Sequence, residues 1–214
     1  MATIAHISEV RPQAAPARVY LVRHGRTLLN ASGALRGRID VPLDPVGLGQ
    51  AEALAAALTA AQPQVIVSSP LCRAVQTVQP LADALGLGII IDDRLVDRDY
   101  GEWAGVSARG VAEQWGSLDA APGVEPASEV RDRVLAALSD IAKGVPGAAA
   151  VVASHDIVIR TALAALAPRL GAPDSVPQET GCFNVLAYRD APSALDGAAR
   201  WVVDSVNQVP PPVC

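Results

Sequence analysis

Short apolar runs alternate with longer stretches whose apolar residues recur at helical spacing. Residues 19–22 form the first apolar run and read as a strand. Asp44 followed by Pro45 reads as an N-cap with proline at the first helical position. Leu48, Ala51, Leu54, Ala55 and Leu58 then mark one helical face up to about residue 61. Residues 65–67 predict a second strand, and Ser69-Pro70 reads as another cap-plus-proline helix start. Val75, Val78, Leu81, Ala82 and Leu85 give that helix its buried face, and Gly86 ends it. Residues 89–91 predict a third, very apolar strand, and 92–105 an irregular polar loop. Helices are expected over 108–115 and over 128–143, the latter with Val130, Val134, Leu138 and Ile141 on one face and Gly144 as its stop. A fourth strand at 149–153 leads into a helix over 157–166, and 182–188 and 200–206 read as two more strands.

This alternation predicts an α/β fold, a mostly parallel sheet with helices on both faces. Only a loop separates the last strand from its neighbour, so that strand is expected to be an antiparallel edge. Residues 1–18, with Pro12 and Pro16, read as a loosely held N-terminal arm, and 19–208 as one domain. Residues 209–214 read as a tail leaving the fold extended, because Pro210, Pro211 and Pro212 are consecutive.

Half of the 214 residues are apolar and only 3% are aromatic, so aliphatic side chains must build the core. The net charge of −5 disfavours a nucleic-acid binder. It also requires any pocket for an anion to be made positive locally. The three cysteines, Cys72, Cys182 and Cys214, suggest neither a disulfide framework nor a metal-spaced pair. With no signal-peptide pattern and no membrane-length apolar stretch, a cytoplasmic protein without membrane partners is expected.

Ligands of such sheets bind beyond the carboxyl ends of the strands. Arg23-His24-Gly25-Arg26-Thr27 follows the first strand, with Asn30 shortly after, and Ser68-Ser69-Pro70-Leu71-Cys72-Arg73 follows the second. The third leads to Asp97, and the fourth to Ser154-His155-Asp156. Two of the three histidines therefore meet arginines and carboxylates at one end of the sheet. His6 lies in the arm and is assigned nothing. That set suits phosphoryl transfer. Arg23 and Arg73 can grip phosphate oxygens as forks. One neutral imidazole can attack phosphorus while a second, cationic, histidine adds a donor. A carboxylic acid protonates the leaving oxygen and later takes a proton from water. Backbone N–H groups at the helix start after Ser69 could add further donors.

In this order the residues resemble the histidine phosphatase superfamily, whose members include cofactor-dependent phosphoglycerate mutases. Leu21-Val22-Arg23-His24-Gly25 looks like the signature loop, with Thr27 and Asn30 at the familiar spacing. Leu35-Arg36-Gly37 with Asp40 and Pro42-Leu43, Ser68-Ser69-Pro70 with Arg73-Ala74, and the loop from Leu95 to Gly105 resemble successive blocks. Gly123-Val124-Glu125 before a helix carrying Arg131 or Arg133 resembles a weaker block, and Val151 to Arg160 the second-histidine block. The resemblance implies a three-layer α/β/α sandwich and His24 as the phosphorylated nucleophile. Arg23, Arg73 and His155 would complete the phosphate pocket, with Asn30 and the backbone around Ser154 and Asp156 in support. Arg26, where an acidic or amide residue is common, would either enlarge the positive pocket or face solvent. No metal or organic cofactor is implied. Two residues compete as proton donor. The acid-bearing loop has Asp97 where the family usually has Glu, and Asp156 stands where the acid-phosphatase branch has its donor aspartate. A helix N-cap is the plain structural role for Asp156.

The leading expectation is a phosphatase acting on a small phosphorylated metabolite through a phosphohistidine. A mutase of this family needs a water-excluding lid and carries a long insertion between acid loop and second histidine. Here residues 105–154 are accounted for by two helices, which favours hydrolysis. A third possibility is an inactive module that binds phosphorylated ligands or a protein partner; it predicts loss of an essential group, whereas both histidines and both arginines remain, and it gains ground if neither Asp97 nor Asp156 reaches the pocket. Oligomeric state is left open.

Overall fold

A computed structural model describes residues 15–32, 34–189 and 201–213. The first strand, β1 (Ala17–Arg23), is followed by helix α1 (Pro45–Thr59), β2 (Val65–Ser68), α2 (Cys72–Leu85) and β3 (Ile89–Ile91). Then come α3 (Ala108–Trp115), α4 (Ala127–Gly144), β4 (Ala149–Ser154), α5 (Asp156–Leu166), β5 (Phe183–Tyr188) and β6 (Trp201–Gln208). The strands form one sheet in the order β3-β2-β4-β1-β5-β6. The first four run parallel, and β5 is antiparallel to both β1 and β6.

Alternation along the strands sends side chains to two cores. Val19 and Leu21 of β1, Val67 of β2 and Val152 of β4 pack with Val130, Val134 and Leu138 of α4 and Ile159 and Leu163 of α5. On the opposite face, Val22, Ile66 and Val151 pack with Leu54 and Leu58 of α1 and Val78 and Leu81 of α2. Each fully buried Leu, Ile or Val contributes about 1.5–3 kcal/mol, so the helices are clamped to both faces. The result is the expected three-layer α/β/α sandwich. A third, small cluster of Leu35, Tyr100, Val111 and Ala121 sits apart from both cores and ties α3 to the polar loops. No helix among the described residues is long and apolar enough to cross a membrane.

Several local expectations change. β1 begins inside the expected arm: Ala17 is buried and the Arg18 N–H donates to the Ala148 carbonyl. Most of the arm, including His6, lies outside the described residues, as do Arg200 and Cys214. Helix α2 starts at Cys72, with Leu71 at the cap position and no side-chain cap. Leu48 is half exposed on α1, and its neighbour Gly47 faces inward instead. β3 is apolar yet lies at the sheet edge, so Ile90 and Ile91 are exposed. The last strand, β6, is the expected antiparallel edge, paired with β5, which itself runs antiparallel to β1. The proline-rich tail, through Pro212, lies beside Val46, Gly49 and Ala53 of α1 and lines a depression there.

Candidate active site

Sheet register puts the two histidines together. Arg23 at the end of β1 pairs with Ser154 at the end of the adjacent parallel strand β4. The next residue of each strand is a histidine, and the His24 and His155 rings lie 5.2 Å apart, centroid to centroid, both fully buried. Backbone bonds lock the position of His24: its N–H donates to the Ser154 carbonyl at 3.1 Å, and its carbonyl accepts from Gly181 N–H. The chain then turns onto the first turn of α1. A Cβ on Gly25 would stand 2.7 Å from the Gly47 carbonyl oxygen, and one on Gly47 would stand 2.1 Å from the Arg26 carbonyl oxygen. Both positions therefore need glycine for close approach. Thr77 of α2 joins this turn to the next element, accepting from Gly25 N–H and donating to the Arg73 carbonyl.

Arg73 enters from the first turn of α2 and is fully buried. Its guanidinium donates to the carbonyls of Ile39 (2.8 Å) and Gly37 (2.9 Å) and to Asp97 Oδ2 (3.1 Å). Asp97 hangs from the loop after β3. Arg133 of α4 braces that loop through the carbonyls of Arg94, Val96 and Asp97 and is itself paired with Glu125. Of the two arginines that could serve the weaker block, Arg133 does so, while Arg131 pairs with Asp132 at the surface. The second Asp97 oxygen accepts from Arg98 N–H, and Oδ2 lies 3.9 Å from His155 Nδ1.

The histidines have distinct polar settings. His24 Nδ1 lies 2.7 Å from the Gly25 carbonyl oxygen. That oxygen can only accept, so the neutral ring carries its proton on Nδ1 and keeps a lone pair on Nε2. Burial first, then the Arg73 guanidinium, holds the His24 imidazole well below the ordinary histidine range, which favours this neutral form. His155 Nε2 meets the Ser69 hydroxyl at 2.7 Å. Burial and His24 hold His155 well below its ordinary range as well, which disfavours the cationic form of the ring. Burial raises the Asp97 carboxyl and outweighs Arg73, favouring the protonated acid.

Five buried side-chain nitrogens lack a hydrogen-bond partner among the described residues: Arg23 Nε, His24 Nε2, Arg36 Nε, Arg73 Nε and His155 Nδ1. No other buried side-chain oxygen or nitrogen among those residues is left so. Leaving such groups unpaired costs about 1–3 kcal/mol each, so their confinement to one site points to a ligand rich in acceptors. Among the described residues no group of three or more His, Cys, Asp or Glu could hold a metal ion.

The family model for the histidine phosphatase superfamily (branch 1) matches residues 19–198. The chain belongs to the histidine phosphatase superfamily. Among its relatives, the probable phosphoglycerate mutase GpmB of Yersinia pestis is 31% identical over 203 residues, covering 88% of this chain and 92% of the relative. A glucosyl-3-phosphoglycerate phosphatase of Mycolicibacterium vanbaalenii is 40% identical over 90 residues, 42% of this chain and 40% of that protein. The chain spans less than half the length of several curated relatives that it matches, between 40% and 43%. A solved mycobacterial glucosyl-3-phosphoglycerate phosphatase superposes with a TM-score of 0.78 at 25% identity, over 90% of this chain and 99% of that one.

In this histidine phosphatase superfamily member the residues singled out from sequence divide by position. His24, His155, Arg23, Arg73 and Asp97 meet at one site. Asp156 and Asp97 line the same cavity of about 380 Å³. Asp156 is the first residue of α5 rather than its cap; it pairs with Arg160 at 2.6 Å and lies 3.6 Å from Arg23. Ser154 turns its hydroxyl to the Leu95 carbonyl and spends its own carbonyl on His24. Asn30 caps its own loop, accepting from the N–H and hydroxyl of Thr27. Arg26 is half exposed and pairs with Asp44 at 2.7 Å, so it faces the α1 terminus. The helix start after Ser69 has spent donors: Leu71 N–H goes to Ser69 Oγ and Cys72 N–H to Asp40. Sequence reasoning assigned no role to Arg36, which lines the cavity with Asp97 and interacts electrostatically with His24, Arg73 and His155. Its signal was present: an arginine beside a glycine in the second block of the resemblance.

Proposed function

We propose that this chain hydrolyses a small phosphomonoester through a phosphohistidine on His24 Nε2. The observation that carries the reading is the set of five unpartnered buried nitrogens on Arg23, His24, Arg36, Arg73 and His155. A phosphoryl group brings acceptor oxygens for four of them and an electrophilic phosphorus for the fifth, the lone pair of His24 Nε2. In the first step that lone pair forms the N–P bond, the bond from phosphorus to the ester oxygen breaks, and Asp97 gives its proton to the leaving oxygen. In the second step water attacks phosphorus, the N–P bond breaks, and the Asp97 carboxylate takes the water's proton as phosphate leaves. Asp97 suits this role better than Asp156: burial favours its protonated form, whereas Asp156 is part-exposed, is engaged by Arg160 at 2.6 Å and lies 3.6 Å from Arg23.

The names of relatives supply the substrate class, a small phosphorylated metabolite, and one of them names a mutase. The test is rapid quenching with ³²P-labelled p-nitrophenyl phosphate, followed by free-phosphate release from that ester and from 3-phosphoglycerate. Acid-labile label on the wild-type protein and none on His24→Ala, together with phosphate release, is the expected result. Isomerisation of 3-phosphoglycerate without release would transfer the reading to a mutase. Label that survives His24→Ala would remove the nucleophile assignment.

A further inference from the structure

Resting on the phosphatase reading, we infer that the preferred leaving group is bulky and largely uncharged, held in a second chamber beyond Tyr100. The cavity that contains Arg36, Asp97 and Asp156 opens into another of about 490 Å³. Tyr100, Ala108, Leu118, Ile157 and Asp174 line both, so the two form one cleft. A leaving group of six or seven heavy atoms, such as serine or glycerate, would leave most of that space to water, whereas well-fitted ligands bury most of their surface. Ala112, Ala127 and Val130 give the second chamber small or apolar side chains that leave room, beside the hydroxyls of Ser117 and Thr161.

Charge points the same way. The one cationic side chain lining the second chamber, Arg98, is consumed: it donates to Asp119 and, at 2.7 Å, to the Glu125 carbonyl, and lies 5.7 Å over the Tyr100 ring. At the junction, Arg160 is held by Asp156 and the Val176 carbonyl. Arg36 interacts with His24, His155, Arg73 and Asp97, so its charge serves the phosphoryl end. A carboxylate or second phosphate on the leaving group would enter the second chamber facing Asp119 and Asp174, with no unpaired guanidinium to receive it. An aromatic or aliphatic body meets apolar walls instead.

The test compares phenyl phosphate, 2-naphthyl phosphate, O-phosphoserine and 3-phosphoglycerate on the full chain. Phenol and naphthol are leaving groups of similar basicity, so their ratio reads size. We expect kcat/KM for 2-naphthyl phosphate to exceed that for phenyl phosphate by about tenfold, the gain that burying a second ring supports, and to exceed both anionic esters by more. Ala112→Phe, which fills the chamber from α3, should bring the naphthyl-to-phenyl ratio close to one. Ser117→Trp fills it from the exposed rim and gives the same reading if the first variant does not fold. A wild-type ratio near one, a preference for phosphoserine or 3-phosphoglycerate, or a ratio untouched by both variants overturns the inference while leaving the phosphatase reading intact. Aryl-ester turnover that persists in His24→Ala removes the phosphohistidine assignment instead, and a wild-type protein that releases no phosphate from any of the four esters removes the phosphatase reading itself.

Discussion

Asp97 Oδ2 lies 3.1 Å from Arg73 Nη2 with both side chains buried, and the same oxygen is 3.9 Å from His155 Nδ1. The carboxyl is thus held between two members of the phosphate site. Arg73 alone would keep it ionised. Burial outweighs that pull and moves the Asp97 carboxyl above its ordinary range, where it can carry a proton to a leaving oxygen.

The pH dependence follows from two opposite displacements. His24 must be neutral to attack, and its range is displaced downward, so the acid limb of kcat/KM should lie below the ordinary histidine value of about 6.5. Asp97 must be protonated, and its range is displaced upward, so the alkaline limb should lie above the ordinary aspartate value of about 3.9. We expect Asp97→Asn to remove the alkaline limb and keep the acid one, measured with one substrate so that titration of the phosphate itself cancels. Turnover of an alkyl phosphate should fall about 100-fold or more and that of p-nitrophenyl phosphate far less, because a good leaving group needs no proton. If Asp156→Asn shows this pattern and Asp97→Asn does not, the acid is Asp156.

Arg73→Lys tests the fork rather than the charge. The guanidinium reaches three acceptors at once, two backbone carbonyls and Asp97, and still leaves Nε unpartnered for phosphate. An ammonium cannot span that set. Inhibition by inorganic phosphate should weaken about tenfold or more, and thermal stability should drop by about 1–3 kcal/mol as a buried carbonyl loses its donor. Unchanged inhibition by phosphate would place Arg73 outside the binding site.

Periodicity alone carried most of the fold, because the core faces of α2, α4 and β1 are continuous aliphatic rows in the sequence. The meeting of His24 and His155 was legible too, since both follow strands and strand ends converge. What local pattern could not weigh is three-dimensional competition. Ser69-Pro70 looks like a helix cap, but the hydroxyl is drawn to His155 86 residues away. Asp97 and Asp156 look equivalent as letters, and only burial and ion pairing separate them. Arg36 follows no strand and joins the site through a loop, so reading strand ends could not reach it.

His24→Ala should lower turnover by at least about 1,000-fold for every ester that the wild type accepts, since the attacking nitrogen is lost. His155→Ala should retain more activity, because its loss removes a phosphate donor and not the attacking atom. Phosphoenzyme trapping would separate them: label absent in the first variant and present, though slowly formed, in the second. Equal residual rates would mean that His24 is not covalently involved.

Arg36 offers the sharpest separation of binding from structure. Its Nε is buried without a partner, and among the described residues its side chain makes no ion pair, so the fold does not rely on it. Arg23 and Arg73, in contrast, each hold backbone carbonyls. Replacing Arg36 by Gln should therefore leave thermal stability within about 0.5 kcal/mol of wild type while weakening inhibition by phosphate about tenfold, the scale of one charge-assisted hydrogen bond. The loss of that cation should also raise the acid limb of the pH profile toward the ordinary histidine range, since Arg36 is one of the charges that disfavour protonated His24. A fall in stability with unchanged phosphate inhibition would make Arg36 a structural residue and reduce the phosphate-binding set to Arg23, Arg73 and the histidines.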